Sequence, residues 1–424
     1  MSRAIRKTAR VVAALAGLAS TSCGPSEQRG EFASTDAVVA STADADFGSA
    51  PPGSDAGGDA LNATPPGCVP ARESCDGLDQ DCDGLVDEGP IDVESTLFSP
   101  SDAEPVALAW AGDIWALVQP GFPNWVYWLS FEGPTVWSTS RFGAFPVDAS
   151  AAMHRSGLVL AWTSAAHDLR YARLSEAGGA GTPETVLDWP APAEPLPRRP
   201  VIAADEDTLG LSFVEGDNLW FGRMDAATGR FSGEPVRVRS APGLTDATLV
   251  NEGEFGFALA WREGDTLWFA RYDLTGQQAL APTVVLSEAG LGAFALGANP
   301  YVGQFALLRT SGAAVLFQRF SQGGAALGEP LALESTAPGA VPVAVYRNEA
   351  EYGVFYTVAS PGGPLLRAAL VSRDGEPLAP AFTLGGPAPR FAVGGAGATY
   401  GAAWRSQNSL HFVASPLRCV PDEP

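Results

Sequence analysis

The sequence predicts an all-β fold made by repeating a four-stranded unit. Three observations carry that expectation. Strands of alternating apolar and polar residues recur about every 44 to 51 residues. Short turns with hairpin chemistry separate them, and the last unit lacks a strand that appears instead ahead of the first.

One series of strands reads DIWALVQ from Asp113, GLVLAWTS from Gly157, TLGLSFVE from Thr208, GFALAWRE from Gly256, QFALLRTS from Gln304, YGVFYTVA from Tyr352 and TYGAAWRS from Thr399. A Gly, Asp or Asn turn leads from each to a partner, such as LWFGRMDAATG, LWFARYDLTG or VLFQRFSQGG. A short strand of small residues precedes most pairs, as in VALAW at Val106, VIAAD at Val201 and VAVYR at Val343. A fourth follows, as in ETVLDWP at Glu184, EPVRVRS at Glu234, PTVVLSE at Pro282, EPLALES at Glu329 and PAFTLGG at Pro380. Small residues suit the crowded axis of a ring, while Trp and Phe on the middle and outer strands fill the space between units.

The seventh unit stops at its third strand, LHFVASPL, and DVESTLFSP from Asp92 supplies the fourth. That arrangement closes a ring without an open sheet edge. The expected architecture is a seven-bladed β-propeller of four-stranded blades over residues 91–424, closed by an N-terminal strand. A long β-sandwich or two β domains would give neither so regular a repeat nor a displaced strand.

The preceding segments are not propeller. Residues 1–22 form a signal peptide, with Arg3, Arg6, Lys7 and Arg10 ahead of an apolar stretch from Val11 to Ala19. The run Leu18-Ala-Ser-Thr-Ser-Cys23-Gly24 resembles a bacterial lipobox, although Ser20 stands where Leu is usual. The resemblance implies that Cys23 is lipidated, giving an outer-membrane or cell-surface lipoprotein; plain cleavage would give a periplasmic or secreted protein. Residues 23–66 are mainly Ala, Ser, Gly, Pro and Asp, too poor in large apolar groups to offset the cost of ordering, and read as a disordered acidic tether.

Charge removes one class of partner. With 48 acidic and 26 basic residues the net charge is −22, the wrong sign for displacing counterions from nucleic acid. The single lysine, Lys7, lies in the signal segment, so the mature chain has none for Schiff-base chemistry.

Residues 67–90 carry the most specific motif. Asp79, Asp81 and Asp83 alternate and Gly84 follows, the opening of an EF-hand-type loop whose carboxylates converge on a hard cation. Asp76, Asp87 and Glu88 lie close enough to complete an oxygen cage. Pro90 occupies the place of the EF-hand's bidentate Glu, so the closing ligand must differ. The run CDGLDQDCDGLVDE resembles the MopE-type metal-binding motif of large bacterial surface and secreted proteins, with Gln80 where Asn is common. The chain as a whole is similar to exported, myxobacterial-like lipoproteins that join this motif to a propeller. That family is named for a copper protein, but copper favours His, Met or thiolate. The carboxylates here imply structural Ca2+.

Apart from Cys23 there are four cysteines, Cys68, Cys75, Cys82 and Cys419, which in an exported chain suggest two disulfides with three possible connectivities. In an antiparallel pair the end of one strand lies beside the start of its neighbour. That brings Cys419, after LHFVASPL, near the cysteine segment ahead of Asp92. The expected bridges are Cys75–Cys82, bracing the metal loop, and Cys68–Cys419, across the ring closure.

No GxSxG, HExxH or phosphate-cradling loop is present, and His154, His167 and His411 make no ligand or catalytic pattern. Glycosidases and sialidases also use propellers, but their Ser-x-Asp-x-Gly-x-x-Trp repeats are missing. Arg198-Arg199-Pro200 reads as a loop between units, and isolated carboxylates such as Asp205 or Glu254 cannot be paired from sequence. The expected function is a monomeric, non-catalytic binding or display module for a protein or glycan at the cell surface, touching membrane only through its N-terminal lipid. A propeller glycoside hydrolase or lyase, or a purely structural envelope protein, are the alternatives. Phe122, Trp125, Phe142 and Phe145, on loops at one mouth, form a candidate ligand patch, with packing between the first two units as the plainer account.

The disulfide pairing is open to direct test. A staple closing about 350 residues is worth up to about 5 kcal/mol in chain-entropy terms. Non-reducing peptide mapping should recover Cys68–Cys419 and Cys75–Cys82, and both reduction and EDTA should lower the melting temperature. A free Cys419 overturns the staple, and indifference to EDTA overturns the calcium site.

Overall fold

The computed structural model describes residues within the span 94–415, without a break over 207–299, 301–335 and 351–396 and elsewhere mainly the strands. All belong to a unit spanning Leu61–Pro424. The described residues form an all-β structure with no α-helix; a 3-10 turn at Gly253–Phe255 is its one helical element. Among them no helix is long and apolar enough to cross a membrane.

The described residues open with β1 (Glu94–Phe98). The first sheet is β2 (Ala107–Trp110), β3 (Ile114–Gln119) and β4 (Trp125–Ser130). The second is β5 (Pro146–His154), β6 (Gly157–Ser164), β7 (Leu169–Leu174) and β8 (Thr182–Val186). The third is β9 (Pro197–Ala204), β10 (Leu209–Glu215) and β11 (Asn218–Asp225), with β12 (Arg230–Phe231) and β13 (Val236–Ser240) both paired to β11.

The fourth sheet is β14 (Leu244–Asn251), β15 (Phe257–Glu263), β16 (Thr266–Tyr272) and β17 (Gln278–Ser287). The fifth is β18 (Leu291–Asn299), β19 (Gln304–Ser311), β20 (Ala314–Ser321) and β21 (Ala326–Ser335). The sixth is β22 (Pro342–Arg347), β23 (Glu351–Val358), β24 (Leu365–Ser372) and β25 (Phe382–Gly385). The last is β26 (Phe391–Ala396), β27 (Thr399–Ser406) and β28 (Ser409–Ser415), and β1 joins it as a fourth strand beside β28, with Glu94 opposite Val413 and Phe98 opposite Ser409.

These are antiparallel meanders, and the turns explain their register. Two-residue loops join β10 to β11, β15 to β16 and β19 to β20, each with a glycine first: Gly216, Gly264 and Gly312, at φ of 58°, 59° and 56°. A II′ turn demands that backbone conformation, and only glycine adopts it without strain. The third-to-fourth-strand turns use another device. In Asp273-Leu-Thr-Gly276 the carboxylate of Asp273 accepts from Thr275 N, Thr275 Oγ1 and Gln277 N. The Ser372 hydroxyl does the same for Asp374 N and Glu376 N.

Each sheet then packs on the next. The first strands β2, β5, β9, β14, β18, β22 and β26 lie side by side in that order, and β26 meets β2 again. Each hydrophobic cluster draws on two neighbouring sheets: Trp128 with Leu160 between the first and second, Tyr171 with Phe213 between the second and third, Leu117 with Phe412 between the first and last. Aromatic pairs repeat at equivalent places, Phe221–Phe257 at 5.5 Å, Phe269–Phe305 at 4.7 Å and Phe317–Tyr352 at 5.3 Å between centroids. At the meeting of first and last sheets Gly401 is obligatory, since a Cβ there would stand 2.8 Å from the Trp115 ring. Sheets packed face to face, with their first strands side by side in a closed circuit, make a β-propeller.

Deleting Glu94–Phe98 should leave β28 as an open edge and give a chain that aggregates on size exclusion, whereas deleting residues 24–65 should leave a cooperative monomer. Equal behaviour of the two deletions would deny β1 its role.

Candidate functional site

Each sheet has one end where its first strand begins and its second strand finishes. Around the third to fifth sheets that end carries a cluster of arginines and carboxylates. Arg199 and Asp246 are its centre. Both occupy bulges near the start of a first strand, β9 and β14, and both have positive φ, 49° and 26°. For non-glycine residues such backbone is costly and persists only where the surroundings hold it. The holding contact is evident: the Arg199 guanidinium donates to the Asp246 carboxylate.

Asp246 also accepts from Arg262 Nη2 at 2.6 Å, and Arg262 Nη1 reaches into the fifth sheet to donate to the carbonyls of Leu291, at 2.8 Å, and Gly292, at 3.2 Å. The cluster thus stitches three consecutive sheets. Two further pairs flank it. Arg239 donates both Nε and Nη2 to Glu263, at 2.7 and 3.0 Å, and lies 4.3 Å over the Trp268 ring. Arg309 donates to Glu288 at 3.2 Å and to Gln318 at 3.3 Å.

Glu263 is held in its ionised form. Burial pushes the Glu263 carboxyl up, but hydrogen bonds from Arg239 and Trp261, with the Arg239 charge, outweigh it and hold the group below its ordinary value. A carboxylate so held stays ionised and makes a poor general acid near neutral pH. What the cluster offers instead is a fixed array of guanidinium donors, with the Arg199 side chain more than half exposed.

Glu252, at the opposite end of the fourth sheet, is the contrasting case. It is 2% exposed and takes three contacts from Arg271, at 2.6 to 3.1 Å. Burial raises its carboxyl above the ordinary value, with Arg271 pulling the other way. A raised carboxyl is a recognised sign of catalytic acids, but this one is saturated by a single arginine inside the packing. It is a structural ion pair.

Several residues expected from sequence lie outside the described residues: Cys23, the metal ligands Asp76, Asp79, Asp81, Asp83, Asp87 and Glu88, and Cys68, Cys75, Cys82 and Cys419. Phe122, Phe142, Phe145, His167 and Asp205 lie outside them too. Trp125 is no loop residue but the first of β4, in register with Gln119. Arg198-Arg199-Pro200 is likewise not a loop between sheets but part of β9, displaced by its bulge. His154 is a satisfied buried histidine, its Nδ1 2.7 Å from Ser156 Oγ and accepting from Ser156 N. His411 stacks on Trp404, and Glu254 is exposed in the 3-10 turn. The Arg199–Asp246–Arg262 cluster was not anticipated; its one trace in sequence is charge at strand ends that otherwise alternate regularly.

No family model matches the chain, and no curated protein sequence matches it. Among solved structures it is similar to a chain in the crystal structure of a nidogen/laminin complex, at 14% identity and TM-score 0.40, covering 63% of this chain and 92% of that one. It is also similar to the Dos1 propeller, at 10% identity and TM-score 0.45, covering 76% and 93%. Neither similarity bears on function, and the fold rests on the chain's own strand pairing.

Replacing Arg271 by Leu should cost about 3–5 kcal/mol in chemical denaturation, because Glu252 is left buried without a counter-charge. A raised carboxyl contributes stability that is complete below its unfolded value and is lost as pH rises through its folded one. The defect should therefore be largest at neutral pH and shrink in acid. Adding Glu252→Leu should restore most of the loss; a double variant as weak as the single would refute the pairing.

Proposed function

We propose that the chain is an exported, non-catalytic binding module: a seven-bladed β-propeller, closed by its N-terminal strand, that presents one end of its sheets to a protein or glycan at the cell surface. The observation that carries this reading is the Arg199–Asp246 contact. Two non-glycine residues are held at positive φ by a partly exposed ion pair, at the end where bulges of neighbouring first strands converge. Strain kept at an accessible polar cluster is the pattern of a surface shaped for contact. In this reading Cys23 carries a lipid that ties the chain to the outer membrane or cell surface, residues 23–66 are the tether, and Asp76, Asp79, Asp81, Asp83, Asp87 and Glu88 hold structural Ca2+. The chain acts as a monomer and takes no nucleic acid.

The test is a glycan array and partner capture with the purified chain, alongside Arg199→Ala. The wild type should retain a ligand that the variant binds at least tenfold more weakly, while the variant, having lost the contact that holds the strained backbone, still melts cooperatively at a modestly lower temperature. Turnover of a bound glycan would instead make the chain a hydrolase or lyase. No ligand for either form would leave a structural envelope protein.

A further inference from the structure

The third sheet departs from its neighbours at its outer edge. In the fourth and fifth sheets the outermost strand is continuous, Gln278–Ser287 and Ala326–Ser335. In the third it breaks: β12 pairs with Met224 and Asp225, Ser232 N still donates to the Arg223 carbonyl at 2.9 Å, and Gly233, Glu234 and Pro235 leave the ladder before β13 resumes opposite Phe221. The break opens a notch over Gly222 and Arg223. The turn of the fourth sheet closes its far side, giving a cleft of about 80 Å³ lined chiefly by Arg223, Ser232, Glu234, Val236, Thr275 and Gly276.

Arg223 is the unexplained residue there. It occupies the same place on its strand as Arg271 and Arg319, opposite Gly210 where those face Ala258 and Ala306. Both counterparts are engaged by protein. Arg271 grips Glu252, and Arg319 donates to Gln304 Oε1 at 3.3 Å and to the Arg373 carbonyl at 2.8 Å. Arg223 has neither kind of acceptor among the described residues, and its Nε is shut away from solvent without a hydrogen-bond partner. The position equivalent to Gln304 holds the short Thr208, whose hydroxyl accepts from Asn251. Asp273, in the facing turn, is occupied by its own turn's Thr275 and Gln277. The residue at Glu252's repeat position, Asp205, lies outside the described residues, and among those described the Arg223 guanidinium lines the cleft with no counter-charge, in a chain of net charge −22.

We propose that this cleft is a subsite for a carboxylate-bearing sugar, a hexuronate unit of an acidic glycan, with Arg223 as the carboxylate-binding residue. A guanidinium meets a carboxylate two-pronged, and the space takes that group with its adjoining carbons, being two to three times the roughly 30 Å³ of a water molecule. Glu234 also lines the cleft. The same Glu234, with the Ser232 and Thr275 hydroxyls, offers acceptors and donors suited to the vicinal hydroxyls of a pyranose, and Val236 gives its ring an apolar edge. The proposal rests on the reading of the chain as a binding module but uses a different surface, so Arg199 and Arg223 variants separate the two.

The full chain is titrated by calorimetry with a trigalacturonate, a neutral galactose trimer and a short N-acetylated peptide bearing a free C-terminal carboxylate. Arg223→Met keeps the side-chain stem that lies beneath Gly276, whose Cβ would sit 3.3 Å from Arg223 Cδ, and removes the charge. Trigalacturonate should bind the wild type and Arg199→Ala alike, bind Arg223→Met at least tenfold more weakly, and outcompete the neutral trimer. Should Arg223→Met fail to fold, Arg223→Lys, which keeps the charge without the fork, should also weaken binding. Undiminished binding to a folded Arg223 variant, or no binding to the wild type, overturns the proposal. Arg223-dependent binding of the peptide in place of the uronate overturns the sugar and makes the cleft a chain-terminus site. If Arg223 proves silent while Arg199→Ala abolishes glycan binding, this subsite fails and the binding-module reading stands.

Discussion

Every sheet in this chain has two apolar faces, and that constraint governs the rest. Trp115, Trp261 and Trp404 are fully buried on second strands, while Phe221, Tyr171 and Tyr127 are buried on third strands. A sheet apolar on both faces cannot stand in water and cannot be satisfied by one partner. Each needs two, and a finite row of such sheets is content only when its ends meet. Burial of a single Phe is worth about 1.5–3 kcal/mol, and such residues recur at every junction. Closure therefore follows from the side-chain pattern, and the backbone's part is to allow it. Gly210 and Gly353 show how: each gives way to an aromatic of the following sheet, Phe257 and Tyr400, whose rings come within 2.7 and 2.3 Å of where a Cβ would sit.

This explains what was legible in the sequence. The second and third strands repeat because the junctions repeat, so an aromatic on one strand predicts its partner in the next unit. The turns were legible too, since Gly264 and Gly312 are demanded by local backbone conformation alone. Boundaries of outer strands were less so. PAFTLGG gave a strand only over Phe382–Gly385, and EPVRVRS became β13 with a separate two-residue β12 before it. Outer strands bury one face at most, so their sequences are weakly constrained and packing decides where they pair.

The charged clusters were illegible for a different reason. Arg199, Asp246 and Arg262 meet because bulges at two first strands turn side chains toward a common point. Bulges have no periodic signature, and a one-residue irregularity moves a side chain to a different face. Reading Arg198-Arg199-Pro200 as a loop was a natural error, since Pro in a strand usually marks an edge or an irregularity. Here it marks the irregularity that aims Arg199. The same holds for Arg223: its repeat position was plain, but only the structure shows that among the described residues it has no acceptor of the kind that Arg271 and Arg319 possess.

The pairing of β1 with β28 joins residues at opposite extremes of the folded chain, while nearly every other strand pair joins neighbours in sequence. Local hairpins form early because their loops cost little to close, and this one contact carries the entropy of the longest loop. On this ground the ring should assemble as an open arc before it shuts. During that interval β28 offers its free edge to any strand of the right register, and the β1 of a second molecule matches it residue for residue. Crowding of newly made chains thus favours exchange of this strand between copies, the low-cost route to domain-swapped assemblies. Holding the two chain ends together before the strand docks would favour self-closure over exchange.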